Sequence, residues 1–298
     1  MTAFQPINSK AYYDFLPTSE SACGDIWLGL PSMGLFDGPV SGIVISPACD
    51  LSNFKTETIT FLPIIPIRAY FSNLAFLPTL RREISERFRS AGFLSRVAWP
   101  EPGYILPRRE LIDDDLTEIE ACLANSKATK AEKEHLPRAA AGLRVIKSTS
   151  SPSLASLEDV ALLLGTKWSS VKTELVRNSH RPDLHFLPKD FRDGSTPSHL
   201  KAHSLVLLRY PVTLPAEFLH AAQHCLPGQW DAFLKSSDGS SWAHLQGKSD
   251  IPPLKCLSVK QAFLADMLSR FTALFSRVGS PDFSRSTIEK YTLEMEHD

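Results

Sequence analysis

The sequence has little of what marks a disulfide-rich, zinc-binding or membrane-spanning protein. Its 298 residues include five cysteines, an odd number at wide spacings, and no C-x-x-C motif occurs. This pattern argues against a disulfide framework and a zinc ribbon, and it indicates a reducing, cytoplasmic location. No run approaches the ~20 apolar residues that a membrane span needs. The stretch MTAFQPINSKAYYDFLP also lacks the apolar core of a signal peptide.

The sequence also lacks an excess of charge of either sign and any glycine-rich loop. The formal net charge is −1 at pH 7, so nucleic-acid binding would require a local basic patch. The 14 glycines are scattered and form no phosphate-cradling loop, and no G-x-S-x-G motif occurs. His220 and His224 have the spacing of two metal ligands on one helix face, but a third ligand with suitable spacing is missing. We therefore predict no cofactor and no metal site.

The pattern of residues 24–70 is that of closely spaced β-strands. Apolar and β-branched runs occupy Ile26–Leu30, Gly42–Ser46 and Thr58–Leu62, and the last run continues through Pro63–Ile67. Turn-forming residues separate these runs. Because no helical pattern intervenes, the segment favours a small antiparallel barrel or sandwich over a βαβ unit.

Helical patterns fill the middle of the chain. Leu80, Ile84 and Phe88 recur every four residues, as on the apolar face of a helix. The opposite face is basic, with Arg81, Arg82, Arg87 and Arg89. Such a face suits either phosphate contact or plain solvation. Residues 113–147 carry acids first and bases later, which complements the dipole of a helix.

Residues 157–178 have the spacing of a helix-turn-helix. Ala161, Gly165 and Val171 supply the small, turn-forming and aliphatic positions of that motif. The second helix would expose polar residues suited to DNA phosphates or base edges, namely Ser170, Lys172, Thr173 and Arg177. An ordinary helical hairpin with a glycine between its helices has the same pattern, so both interpretations stay open.

The pair Cys49-Asp50 follows the second predicted strand. Asp50 favours an Asx turn, and Cys49 is a small group suited to burial. Alternatively, Asp50 forms a recognition loop at the rim of the sheet with Lys55 and Arg68. A cysteine nucleophile is the third interpretation, although no nearby histidine supplies its base.

The segment NSHRPDLHFLP, after the predicted second helix, contains a further candidate site. Asp183 in this segment would orient His180 or His185 as a general base. A polar connecting loop is the alternative, because the segment is bounded by prolines.

Three of the strand segments resemble, in order, the first strands of the PemK/MazF family of toxins. Gly24-Asp25-Ile26-Trp27 is similar to the first strand, Gly42–Ser46 to the second and Thr58–Ile64 to the third. The resemblance covers residues 24–67. It implies an α+β fold with an SH3-like antiparallel barrel. On this basis residues 1–78 and 201–298 form a split barrel with a C-terminal helix, and residues 79–200 form a helical insertion.

Members of this family cleave single-stranded RNA without a metal, using an arginine before the second strand and a threonine after the Pro-Ile pair. Val40-Ser41 and Ile65 stand at those places in this chain. The resemblance therefore implies a barrel without the catalytic pair. We predict a non-catalytic nucleic-acid-binding or regulatory component of a bacterial toxin–antitoxin or phage-defence type system.

Two other functions remain alternatives, a divergent metal-independent endoribonuclease and a protein-binding adaptor. The candidate catalytic residues of the endoribonuclease are Asp50, Lys55, Arg209 and His185. The predicted nucleic-acid-binding residues are Lys55, Arg68, Ser170, Lys172, Thr173 and Arg177. The expected partners are RNA or DNA and a protein of the same system, with no membrane, and a homodimer is one expected assembly.

Overall fold

The computed structural model describes residues 9–14, 21–32, 38–52, 55–100, 105–149, 154–192, 200–236, 251–276 and 284–287. These residues form an α+β fold, which confirms the fold class predicted from the sequence. None of the helices in the described part of the chain is both long enough and apolar enough to cross a membrane.

The strands form one sheet in which all observed pairs are antiparallel. Their bounds are β1 Tyr13–Asp14, β2 Asp25–Leu30, β3 Val40–Val44, β4 Thr58–Pro66, β5 Leu184–Leu187, β6 Ser204–Leu207, β7 Val212–Pro215 and β8 Leu254–Val259. The strand order is β1-β8-β2-β3-β4-β6-β5. Strand β4 is long enough for its first part to pair with β7 and its last part with β6.

The helices fall mainly between β4 and β5 and around β8. Their bounds are α1 Ser9–Tyr12, α2 Ala48–Ser52, α3 Ile67–Tyr70, α4 Leu77–Ala91, α5 Arg109–Ala124, α6 Lys130–Thr149, α7 Leu157–Leu164, α8 Lys167–Val176, α9 Ala216–His224, α10 Trp230–Ser236 and α11 Gln261–Phe275. Short 3₁₀ turns lie at Leu74–Phe76 and Pro227–Gln229. The range predicted as a helical insertion, 79–200, contains most of α4 and all of α5 to α8, and it also contains strand β5.

The sheet curls around one apolar core. Every strand except β7 contributes a buried side chain to this core, and representative members are Tyr13, Ile26, Ile43, Leu62, Leu187, Val206 and Leu257. Because the two end strands, β1 and β5, share the core, the sheet must bend until its ends approach each other.

The bent sheet nevertheless stays open. In the described ranges no backbone pairing joins β1 to β5. Side chains span the gap instead: Tyr12 Oη lies 2.9 Å from His185 Nε2, and the Tyr13 hydroxyl donates to the Pro188 carbonyl at 2.7 Å. The closed barrel implied by the family resemblance is therefore corrected to a curled, unclosed sheet.

Strand β5 is unsuited to closure because side chains occupy backbone groups along it. The Asn178 side chain accepts a hydrogen bond from the Phe186 N–H, and Arg270 donates to the Leu184 carbonyl at 3.1 Å. These bonds limit the backbone groups of β5 that remain for closing a barrel at this edge.

Helices α4 to α8 form a second core against the sheet. Helix α6 lies at its centre and packs against α4, α5 and α7. The packing of α6 on α4 is close because Gly142 faces Ile84, where a Cβ atom would lie 2.5 Å from the Ile84 Cγ1 atom. Ile65, Leu205 and Leu207 join this core from the sheet, so the helical layer and the sheet share buried surface. This layer positions α7 and α8.

Candidate nucleic-acid interface

Helices α7 and α8 lie where the helix-turn-helix spacing predicts two helices. Helix α7 begins at a serine cap, where the Ser156 hydroxyl accepts the Asp159 N–H at 3.4 Å. The Arg144 guanidinium pairs with the Asp159 carboxylate and anchors this end of α7 to α6. Val160 of α7 and Val171 of α8 are buried in the helical core, so each helix has one packed face.

The turn between the two helices depends on Gly165. Its φ of 58° and ψ of −126° lie in a region that residues with a Cβ atom rarely adopt. Arg138 donates hydrogen bonds to the carbonyls of Leu162 and Leu163 at 3.2 and 3.1 Å, and its guanidinium lies where a Gly165 side chain would project. Only Gly165 and Thr166 separate the helices, a tighter turn than the three to four residues typical of DNA-binding helix pairs.

Helix α8 presents a polar stripe to solvent. A shallow depression is lined by Ser169, Lys172, Thr173, Val176 and Arg177. Their spacing places all five on one helix face, opposite the buried Val171. Among the described residues, neither Lys172 nor Arg177 has a carboxylate partner; the Lys172 ammonium lies 5.4 Å from the centre of the Trp168 ring. The stripe therefore carries two cations that no acid of the described residues pairs with.

Ser170 differs from the other residues predicted on this helix. Its hydroxyl donates to Glu174 Oε1 at 2.7 Å, and Glu174 Oε2 lies 3.3 Å from His180 Nδ1. The bond from Ser170, followed by that from His180, lowers the pKa of the Glu174 carboxyl. Ser170 is thus occupied within the protein, and an ionised carboxylate borders the basic stripe on that side.

A buried carboxylate ties α8 to α4. The Glu83 side chain is 1% exposed, and both of its oxygens accept hydrogen bonds from Lys167 Nζ, at 2.9 and 3.0 Å. Arg87 Nη2 lies 3.7 Å from the same carboxylate, and Lys167 also approaches Glu86 at 3.7 Å. The first residue of α8 is therefore fixed against α4, whose exposed face carries arginines.

The predicted Asp50–Lys55 pair lies in and after α2. The Lys55 backbone N–H donates to the Asp50 carbonyl at 3.0 Å, and Cys49 Sγ lies 3.6 Å from Asp50 Oδ1. The Lys55 side chain is exposed and makes no ion pair within the described residues. Arg68 instead donates to the Ala155 carbonyl at 3.1 Å, so no contact in the described chain joins it to Asp50 or Lys55.

The other two candidate catalytic residues also have separate surroundings. Arg209 is 59% exposed, and its Nε lies 3.4 Å from the Asp183 carboxylate. Asp183 is held by Arg181 through two hydrogen bonds of 2.9 and 2.7 Å, so it orients arginines and not a histidine. His185 is 2% exposed, and burial lowers its pKa to about 4. No contact within the described residues brings Asp50, Lys55, Arg209 and His185 into one site.

Two ion pairs that involve a buried acid were not identified from the sequence. One joins Glu83 to Lys167, and the other joins Asp25 to Lys255 with an Nζ–Oδ2 distance of 2.7 Å. Glu83 lies next to Ile84 on the apolar face of α4. An acid on a face that is predicted to be buried is the sequence signal that could have indicated this ion pair. The Asp25–Lys255 pair crosses between strands that are distant in sequence, and no local pattern indicates it.

The described residues contain no group of three or more histidines, cysteines or acids able to hold a metal ion. The rings of His220 and His224 on α9 lie with their centres 4.4 Å apart and are tilted by 54°. Comparisons with protein-family models, curated proteins and solved structures each gave no match for this chain. The family resemblance therefore rests on residues 24–67 alone.

Proposed function

We propose that this chain binds nucleic acid through the exposed stripe of α8. The observation that carries the proposal is the pair of cations, Lys172 and Arg177, that flank Thr173 without a carboxylate partner in the described chain. A cation already paired with an acid gains little by meeting a phosphate, whereas an unpaired one releases counterions from the nucleic acid and gains affinity. The Ser169 hydroxyl adds a hydrogen-bonding group for phosphates or bases, whereas the Thr173 hydroxyl donates to the Ser169 carbonyl at 3.1 Å and can only accept a further bond.

Binding is proposed to be non-catalytic. Val40 is 7% exposed in β3 and Ile65 is 1% exposed in β4, so neither residue that replaces the family's catalytic pair presents a polar group to a phosphate. The alternative catalytic candidates are dispersed, and His185 is buried. These observations favour a binding or regulatory component, which the family resemblance assigns to a toxin–antitoxin or phage-defence type system.

The sheet is proposed to be an unclosed, divergent relative of the SH3-like barrel of the PemK/MazF family. Strands β2, β3 and β4 support this proposal because they are consecutive antiparallel neighbours, in the order of the resembling segments. The single core shared by β1 and β5 supports it further. A protein partner from the same system is part of this proposal.

Fluorescence anisotropy with labelled mixed-sequence oligonucleotides, DNA and RNA, tests the binding proposal. Affinity should fall between about 50 and 200 mM salt, and the variant carrying Lys172→Ala and Arg177→Ala should lose about ten-fold at the lower salt because about two phosphate contacts are removed. Lys201→Ala is the matched control, since this exposed lysine precedes β6 at the end of the β5–β6 pair remote from α8. Absence of binding to every oligonucleotide at low salt would refute the proposal.

A further inference from the structure

The shape of α8 discriminates between kinds of nucleic acid. Its stripe from Ser169 to Arg177 runs along one exposed face of the helix, and at ~1.5 Å per residue it is about 12 Å long. The major groove of B-form DNA is about 12 Å wide and admits one helix. The major groove of an A-form RNA duplex is deep and narrow, so side chains on a helix do not reach its bases.

The same surface lacks a platform for single strands. Proteins hold single-stranded nucleic acid largely by stacking its bases on exposed aromatic rings. The described residues of α4 and α8 expose no aromatic ring fully: Trp168 is half-buried with its ring edge-on to Phe71 at 5.5 Å, and Phe88 is buried. Lys172 covers the Trp168 ring further.

Helix α4 supplies cations beside α8. Arg82, 66% exposed, and Arg89, also exposed, lie two turns apart on the solvent face of α4. Arg89 has no ion pair in the described chain, and Arg82 has only the 3.4 Å contact with Glu83. Glu86 is the acid that shares this face, and Lys167 lies 3.7 Å from it. Because Lys167, the first residue of α8, is bonded to Glu83, α4 approaches the N-terminal end of α8.

We infer that the nucleic acid is B-form duplex DNA, with α8 in the major groove and with Arg82 and Arg89 on flanking phosphates. This inference rests on the proposed function and names its substrate class. Lys172 and Arg177 contact base edges or phosphates within the groove. Glu174, at the border of the stripe, accepts a hydrogen bond from cytosine N4 or repels a misplaced phosphate.

The test uses a mixed-sequence DNA duplex of roughly 20 base pairs, two turns of B-DNA. Three other probes of the same sequence are compared with it, namely the RNA duplex, the DNA single strand and the RNA single strand. The full chain should bind the DNA duplex at least about ten-fold more tightly than the other three probes. Equal or tighter binding of RNA or of single strands would overturn this inference while leaving the proposed function intact. Binding of none of the probes would overturn both.

The role of α4 has its own test. Substitution of Arg82→Ala and Arg89→Ala should make the salt dependence of DNA binding shallower by about 0.9 per lost phosphate contact. The charge-retaining variant with Arg82→Lys and Arg89→Lys should keep the wild-type salt dependence, and Lys201→Ala should leave it unchanged. Because both arginines are exposed, the variants should retain the unfolding midpoint. An unchanged salt dependence in the doubly alanine-substituted protein would overturn the assignment of α4.

Discussion

The Tyr12 hydroxyl lies 2.9 Å from His185 Nε2, and this contact joins two ends of a sheet that backbone hydrogen bonds leave open. The Tyr12 ring stacks on Phe263 with ring centres 4.2 Å apart, so α11 holds the tyrosine in place. Burial raises the pKa of the Tyr12 hydroxyl, and burial lowers that of His185. The bond is therefore made between two neutral groups near pH 7, and it replaces part of the pairing that a closed barrel would have.

Removal of the Tyr12 hydroxyl should destabilise the protein. Tyr12→Phe keeps the stacking on Phe263 but leaves the buried His185 Nε2 without its partner, which costs about 1–3 kcal/mol. Urea unfolding measures this loss. Thr213→Val is the control, because it removes a hydroxyl that contacts Thr60 at 3.1 Å on the exposed surface and should cost less than about 0.5 kcal/mol. Equal effects of the two substitutions would contradict the proposed importance of the contact.

The pH dependence of stability should report on His185. Its pKa falls from 6.5 to about 4 in the folded protein through burial and Arg270, against the opposing effect of Asp266. Between these values the unfolded chain binds a proton that the folded chain does not. The free energy of unfolding is thus fully maintained above pH 6.5 and decreases by about 3 kcal/mol as the pH falls to 4.

His185→Gln should flatten the pH dependence of urea unfolding between pH 6.5 and 4. His203→Gln is the matched substitution, because burial lowers the pKa of the more exposed His203 as well, with a smaller contribution from Lys189. It should leave most of the slope in place. A slope that persists unchanged after His185→Gln would assign the titration to another group.

Local sequence patterns predicted part of this structure, but they could not predict which residues distant in the sequence pair with each other. The strand segments of residues 24–67 follow from their apolar runs and turn residues, which are properties of neighbouring positions. Strand β5 is only four residues long, and it pairs with β6 in a register that aligns Leu184 with Leu207, 23 positions further along the chain. The Tyr12–His185 contact spans 173 positions, so no periodicity in the sequence indicates it.

The candidate interface shows the same division. The helical period was sufficient to place Lys172, Thr173 and Arg177 together on α8. The engagement of Ser170 by Glu174 follows the i, i+4 spacing of a helix and was accessible from the sequence. The tie between Lys167 and Glu83 depends on how α4 and α8 pack, which their separate patterns do not specify.

The turn between α7 and α8 should not tolerate a side chain. Gly165→Ala places a Cβ atom in an unfavourable backbone region and against the Arg138 guanidinium, so it should cost about 3 kcal/mol. Gly92→Ala is the control, since Gly92 has a φ of 67° but no neighbour within 4 Å of its Cβ position. That change should cost about 1 kcal/mol from backbone strain alone. Thermal or urea unfolding of both variants measures the difference, which comes from the ψ of Gly165 (−126°, against 23° for Gly92) together with the Arg138 contact. Equal losses would mean that neither adds to the strain of a positive φ.

RNA should stay intact in the presence of the purified chain. The Asp50 and Lys55 side chains make no contact with Arg209 or His185 in the described residues, so no assembled acid–base pair is available there. Mixed single-stranded RNA incubated with the protein in EDTA, and separated by size, provides the measurement. Cleavage by the wild type that disappears in both Asp50→Ala and Lys55→Ala would show that the non-catalytic proposal is wrong.

Glu83 should be more important for stability than its neighbour Glu86, although both approach Lys167. Glu83→Gln removes the charge from a side chain that is 1% exposed and leaves the Arg87 guanidinium, 14% exposed, without its anion. This loss should cost about 1–3 kcal/mol, because Arg87 stays largely away from water whereas Lys167, 51% exposed, can turn to solvent. Glu86→Gln removes only a 3.7 Å contact at a half-exposed site and should cost less than about 1 kcal/mol. Urea unfolding of the two variants decides between these values, and a loss below about 1 kcal/mol for Glu83→Gln would mean that the Lys167–Glu83 ion pair contributes little to stability.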